Sequence, residues 1–331
     1  MRLLEEAIKV EQLAKSFTYY TKEVGVMNSL KNLIHRKTLT KQAVKDITFS
    51  IGKGEMVAFL GPNGAGKTTT LKMLSGILHP TDGSLSVLGF KPYERKKEFK
   101  KRFAIVMGQK SQLWPDLPAS ESILLNRYIY QVEEQTYKRT LDELVELLDV
   151  KHVLNVQVRR LSLGERMKME LIAALIHKPE LLFLDEPTIG LDVVTQKRVR
   201  EFLAHYNEYY KTTIILTSHY MKDVEDLCKR TLIINDGRLV FDGNLNQVHG
   251  AVNETKIVKL KFSQSVEASR LEPFGAVRQT DEFAATLEIA KEQINPVSRE
   301  LLDLFPIEDI TIEEKPIEEV IVSLYNRTQP V

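Results

Sequence analysis

Residues 61–68 read Gly61, Pro62, Asn63, Gly64, Ala65, Gly66, Lys67, Thr68, which fits G-x-x-x-x-G-K-[ST]. Residues of these types at this spacing can hold a polyphosphate. The glycines let successive backbone N–H groups turn inward on an anion, Lys67 can reach the β and γ phosphates, and the Thr68 hydroxyl can ligate Mg²⁺. Thr69 continues the phosphate-binding run into the next element. A second feature lies far along the chain, where residues 181–186 read Leu-Leu-Phe-Leu-Asp-Glu. An apolar strand that ends in two carboxylates places them where ligands gather in an open α/β sheet, beyond the carboxyl ends of the strands. Asp185 can then hold a hydrated Mg²⁺, and Glu186, pointing differently, can polarise an attacking water as a general base. Either run alone has a bland reading, a glycine-rich turn or an ordinary strand end; together they point to phosphoryl chemistry on a nucleotide.

The elements that must position these groups are legible around them. Residues 56–60 (MVAFL) form an apolar run of strand length before the glycine-rich turn, and residues 69–78 read as the helix after it. Residues 103–107, 213–216 and 232–234 supply further strand material. The clearest helices are predicted over residues 133–148 and 165–177. Alternating strands and helices imply a three-layer α/β domain with a mainly parallel sheet. Residues 10–16 and 43–51 read as half-buried strands, and between them residues 27–37 form a short basic amphipathic helix. That helix either packs on its own domain or meets a membrane surface or membrane partner. Beyond Asp242-Gly243 a polar stretch reads as a linker, and the remainder follows a βαββαβ ferredoxin-like order, with a short helix over residues 265–272 and a final amphipathic helix over 316–325.

Composition narrows the class. A chain of 331 residues with 43% hydrophobic and 27% charged content is an ordinary globular protein of about two domains. The near-neutral total, 46 basic against 45 acidic groups, hides an asymmetry: residues 1–110 carry 20 basic and 9 acidic side chains. An anionic partner therefore belongs near the N-terminal third. Within it, the basic run over residues 91–102 reads as a solvated helix face, with lipid headgroup contact as the alternative. The single cysteine, Cys228, fits a reducing compartment and a buried position. No apolar run reaches the ~20 residues of a membrane span, and the first six residues do not make a signal peptide.

With these motifs in place the sequence resembles the ATP-binding subunits of ABC transporters. Leu161-Ser162-Leu163-Gly164-Glu165 resembles the family's signature LSGGQ, Gln109 its Q-loop glutamine, Gly190-Leu191-Asp192 its D-loop, and His219 its switch histidine. Phe17 resembles the aromatic residue that stacks on adenine, with Tyr19 and Tyr20 as alternatives. The signature departs from the family at Leu163, where Gly is usual, and at Glu165, where Gln is usual. The resemblance implies a P-loop NTPase domain with helical and antiparallel β subdomains over residues 1–247, including an insert over 21–41 and a helical part near 115–180, and an accessory α+β domain over 248–331. It implies ATP and Mg²⁺ as cofactors, the metal held by Thr68, Gln109 and Asp185, with Glu186 and His219 catalytic. Ser162 and Gly164 of one copy would close on the γ-phosphate of another in a head-to-tail dimer, and Asp192 of the D-loop is counted with the nucleotide-binding residues.

The wording of residues 185–192 and the C-terminal extension resemble the bacterial branch that pairs with ABC-2 type permeases, largely exporters. The expected partners are membrane-spanning permease subunits and a second copy of the chain, with no nucleic acid, and the expected place is the cytoplasmic face of the cell membrane. Trp114 lies either at the permease contact or as the buried anchor of a turn. The competing class is a soluble ABC ATPase acting on ribosomes or DNA; its members usually carry two nucleotide domains or a long coiled coil, and sustained heptads are missing here.

Overall fold

The computed structural model describes residues 5–20, 38–108, 110–245, 247–248 and 254–327. The chain forms two compact units, Met1–Asp242 and Gly243–Val331. In chain order the first contains β1 (Glu6–Tyr20), β2 (Thr38–Gly52), β3 (Met56–Leu60), α1 (Lys67–Leu74), β4 (Asp82–Val87), α2 (Lys97–Lys100), β5 (Phe103–Met107) and α3 (Ala119–Tyr130). It continues with α4 (Glu134–Leu147), α5 (Leu163–Leu175), β6 (Leu181–Asp185), α6 (Val193–Tyr210), β7 (Thr213–Thr217), α7 (Met221–Leu227), β8 (Arg230–Asn235) and β9 (Arg238–Gly243).

The six-stranded sheet runs β5-β6-β7-β3-β8-β9, and every pairing from β5 through β8 is parallel. Leu181, Leu182, Phe183 and Leu184 of β6 have no exposed surface, because a parallel strand is covered on both faces. A three-stranded antiparallel sheet, β2-β1-β4, shares a buried cluster with it: Ile8, Leu13 and Ile47 join Val57, Phe59 and Phe183 of the parallel sheet and Leu74 of α1. The α/β class and the antiparallel β part expected from the sequence are therefore present.

Register decides where chemistry can occur. Met107 pairs with Asp185 and Asp185 with Thr217, so β5, β6 and β7 end at one level. The loops after them, and the glycine-rich loop after β3, leave from the same carboxyl edge.

Several sequence expectations change. The helix after the phosphate loop spans Lys67–Leu74, not residues 69–78; it opens on Gly66, whose φ of 111° supplies the N-cap. The run over residues 91–102 is not one solvated helix face. It breaks into a 3₁₀ turn at Pro92–Glu94 and the single turn α2, buries Phe99, and pairs Arg102 with both Glu180 oxygens at 2.5 and 2.6 Å. Residues 27–37 lie outside the described residues, while residues 38–41 belong to β2. Cys228 is buried, and burial pushes its thiol well above the ordinary range.

The second unit pairs β10 (Thr255–Phe262), β11 (Ala276–Asp281), β12 (Ala284–Ala290) and β13 (Ile307–Glu314) in the antiparallel order β11-β12-β10-β13. Two helices follow in the chain, α8 (Ile294–Leu304) between β12 and β13, and α9 (Ile317–Arg327) after them. This is the ferredoxin-like strand order, with one departure: the helix expected over residues 265–272 is instead two 3₁₀ turns, Ala268–Arg270 and Glu272–Phe274. Pro273 removes a helical donor and Gly275 follows at once, which leaves too few residues for α-helix.

Candidate active site at the sheet edge

The glycine-rich loop turns from β3 into α1 at the carboxyl edge. A Cβ on Gly66 would stand 2.6 Å from the Ala43 carbonyl, so only glycine lets β2 pass this close, and its positive φ excludes other residues independently. Lys67 is buried and donates to the carbonyls of Gly61 at 2.5 Å and Pro62 at 3.2 Å. Burial lowers its pKa, opposed by the negative charges of Glu186 and Asp185. The Thr68 side chain is exposed in the cleft.

Asp185 ends β6, and its Oδ1 accepts from the Thr217 hydroxyl at 2.6 Å. Glu186 comes next with a φ of 56°, a left-handed conformation that costs a non-glycine residue roughly 1 kcal/mol or more. Its N–H donates to the Thr217 carbonyl at 3.0 Å and hydroxyl at 3.1 Å, which holds the turn. The His219 ring, just beyond β7, brings Nε2 within 2.8 Å of Glu186 Oε1. Gly108 permits the neighbouring loop to approach, since a Cβ there would stand 2.1 Å from the Glu186 carbonyl.

A cleft of about 310 Å³ joins these parts. Pro62, Asn63, Gly64, Ala65, Gly66, Lys67, Thr68 and Thr69 line it together with Glu186 and Phe17. Phe17 is thus the aromatic residue at the cleft, whereas Tyr19 and Tyr20 are exposed and do not line it. The β1–β2 register pairs Phe17 with Lys41, which also lines the cleft. Lys15 lies 5.3 Å from the Phe17 ring centre.

The remaining sequence-selected residues stand elsewhere. Ser162 is the N-cap of α5, within a reciprocal cap: Glu165 N–H donates to Ser162 Oγ at 3.2 Å, and Glu165 Oε2 accepts from Ser162 N and Oγ, both at 2.8 Å. The helix therefore starts at Leu163 rather than Glu165, with the Glu165 carboxylate on its first turn. Hydrogen bonds from Ser162 hold that carboxylate below the usual range. Asp192 is the N-cap of α6, accepting from Thr195 N at 3.0 Å and Oγ1 at 2.6 Å without the reciprocal bond. Neither Ser162, Gly164 nor Asp192 lines the cleft. Gln109 lies outside the described residues, but the segment after it is tied to α5: Glu170 accepts from Ser111 Oγ at 2.6 Å and from Gln112 N at 2.9 Å. Trp114 is 58% exposed, which rules out the buried-anchor reading.

Sequence reasoning missed Lys41, Gly108, Thr217 and Glu170. Each reaches its place through strand pairing or helix packing, and no local pattern marks it.

A glycine-rich loop, a buried lysine and a carboxylate–histidine pair at the carboxyl edge of a parallel sheet define a nucleotide-hydrolysing P-loop domain. Comparison with known proteins makes the class specific. Residues 44–189 match the ABC transporter family and residues 254–313 the EvrA-like ABC transporter, C-terminal domain. The chain is 33% identical over 208 residues, covering 63% of itself and 84% of the relative, to the ABC transporter ATP-binding protein NatA of Bacillus subtilis (strain 168). It is 34% identical over 240 residues (72% and 75%) to the linearmycin resistance ATP-binding protein LnrL of the same organism. It is 32% identical over 216 residues (64% and 69%) to the bacitracin transport ATP-binding protein BcrA of Bacillus licheniformis. A solved ATP-binding subunit of an ABC transporter superposes with a TM-score of 0.61 at 26% identity, over 74% of this chain and 92% of that one. The chain belongs to the ABC transporter family as an ATP-binding protein, and it is an ATPase. Among the described residues no helix is long and apolar enough to cross a membrane.

Proposed function

We propose that the chain hydrolyses Mg·ATP as a head-to-tail dimer and thereby drives a separate membrane permease, in the direction of export, from the cytoplasmic face. Residues 1–247 would form the ATP-binding domain and residues 248–331 an accessory domain. Lys67 and the loop N–H groups bind the phosphates, Phe17 stacks on adenine, Glu186 takes the proton of the attacking water, and His219 orients Glu186 and that water. The oxygen donors Thr68 and Asp185, with Gln109, suit a hard cation that keeps waters and phosphate oxygens as its other ligands. Mg²⁺ so held would neutralise charge on the phosphates as the bond breaks.

The observation that carries this reading is the split of the family motifs. Lys67, Thr68 and Glu186 share one cleft, with His219 on Glu186, while Ser162, Gly164 and Asp192 sit outside it. A second copy is what would bring a signature segment to the phosphates. The names of the relatives, a linearmycin resistance protein and a bacitracin transport protein, support the export direction. The test is Glu186→Gln in the full chain: Mg·ATP should still bind, hydrolysis should stop because the amide cannot accept the proton, and size exclusion should show a dimer. A Glu186→Gln protein that stays monomeric at saturating Mg·ATP would count against the shared site.

A further inference from the structure

A buried carboxylate joins the two loops that carry Glu186 and His219, and none of the family motifs accounts for it. Asp223, in the first turn of α7, has no exposed surface. Its Oδ2 accepts from the Thr188 hydroxyl and from Ser218 Oγ at 2.8 Å, and its Oδ1 accepts from Arg200 Nη1 at 2.9 Å. Thr188, Ser218 and Arg200 are themselves buried, at 1%, 5% and 8% exposure. Thr188 lies two residues beyond Glu186, Ser218 immediately precedes His219, and Arg200 projects from α6, the helix that Asp192 caps. Arg200 Nε also lies 3.0 Å from Asp226 Oδ2.

We propose that Asp223 is a positioning residue for hydrolysis, a clamp that fixes the Glu186 loop against the His219 loop and ties both to α6. The proposal rests on the assignment of Glu186 and His219 to hydrolysis. Its physical basis is that a buried charge tolerates no missing partner. The three donors come from three segments, so satisfying one carboxylate sets the spacing of all three. Two of those segments carry the ends of the Glu186–His219 contact, which the clamp therefore keeps at 2.8 Å. The third carries the Asp192 turn, so a displacement there is passed through Arg200 to the hydrolytic pair. None of the clamp residues lines the nucleotide cleft, so their loss should spare ATP binding.

The test separates kcat from KM. Thr188→Val and Ser218→Ala each delete one donor to Asp223, Ser218→Ala also the acceptor of the Tyr220 N–H at 3.0 Å, and both leave the buried Arg200–Asp223 pair intact, so both should fold, whereas Asp223→Asn would leave the Arg200 charge short of its partner. In the full chain each should lower kcat about tenfold while KM for ATP changes less than about threefold. Thr188→Ser, which restores the hydroxyl, should recover kcat to within about twofold. The double variant should lose little more than the worse single variant, because the donors act as a unit. Unchanged kcat in both variants, equal losses in Thr188→Ser and Thr188→Val, or a matching rise in KM would overturn the clamp. Glu186→Gln is the control: if it stops hydrolysis while Thr188→Val and Ser218→Ala do not, the clamp alone fails, and if it hydrolyses ATP normally, the assignment beneath the clamp fails with it.

Discussion

Lys67 illustrates how a single side chain can be read for function. Among the described residues the buried Lys67 ammonium donates only to two loop carbonyls, with the Glu186 and Asp185 charges nearby but not hydrogen-bonded to it, an arrangement suited to receiving an anion. Replacing it with Ala should weaken ATP binding roughly ten- to a hundredfold, the loss of one or two charge-assisted hydrogen bonds, while thermal stability holds or rises. Calorimetric titration decides this, and near-normal affinity would remove Lys67 from the site. Phe17→Ala should raise the Kd for ATP roughly three- to tenfold, the stacking energy of one ring, and Tyr19→Ala should leave it alone. Both Lys67 and the Asp185-Glu186 pair were legible in the sequence because their meaning is local: a loop between a strand and a helix, a strand end. Lys41, Thr217 and Asp223 were not, because Lys41 and Thr217 arrive through the β1–β2 and β6–β7 pairings and Asp223 through packing across separate segments.

At the scale of elements, β6 carries Asp185 to the sheet edge, while α5 is fixed at its start by the Ser162–Glu165 cap. β6 is paired on both sides and its residues 181–184 are buried on both faces, so Leu182→Ala should cost about 2–5 kcal/mol of stability through the cavity it leaves, measured by urea unfolding. His177, just past α5, stacks on Tyr130 at 3.7 Å and offers Nε2 to the Phe103 carbonyl at 3.3 Å, while its Nδ1 is buried without a partner among the described residues. Burial lowers its pKa from 6.5 to about 4. The folded state therefore resists the proton that the unfolded chain accepts, and stability falls as pH drops from about 6.5 to 4, by up to about 3 kcal/mol. His177→Phe should flatten that slope in unfolding curves at pH 7 and pH 5. Helices and strands with a clear period were read correctly to within a few residues. The segment over residues 265–272 was not, because Pro273 and Gly275 lie just beyond the window that suggested a helix.

Across the whole molecule, each unit has its own buried cluster, one centred on β1, β2 and β3 and one on β10, β12 and α8. A chain ending near residue 250 should fold and bind ATP; a truncated protein that unfolds would show that the two units share a core. In the second unit, Glu288 carries much of the polar structure. Burial would raise its pKa, but hydrogen bonds from Lys315, Thr255 and Arg278 outweigh it and hold the group at about 2. That stabilisation is complete above the ordinary carboxylate range near 4.5 and is lost as pH falls toward 2, so unfolding curves of this unit should show stability falling across that window, and Glu288→Gln should flatten the fall.

Trp114 is the only tryptophan of the chain, its backbone N–H donates to Ser122 Oγ at 3.1 Å, and its indole is more than half open to water. All indole emission therefore comes from one fixed address, on the segment that follows Gln109. Its colour should be that of a wet indole, and any surface laid over it should move the spectrum toward the blue. The protein thus carries an optical reporter of its own, able to register the arrival of another molecule at this face without a dye or a label.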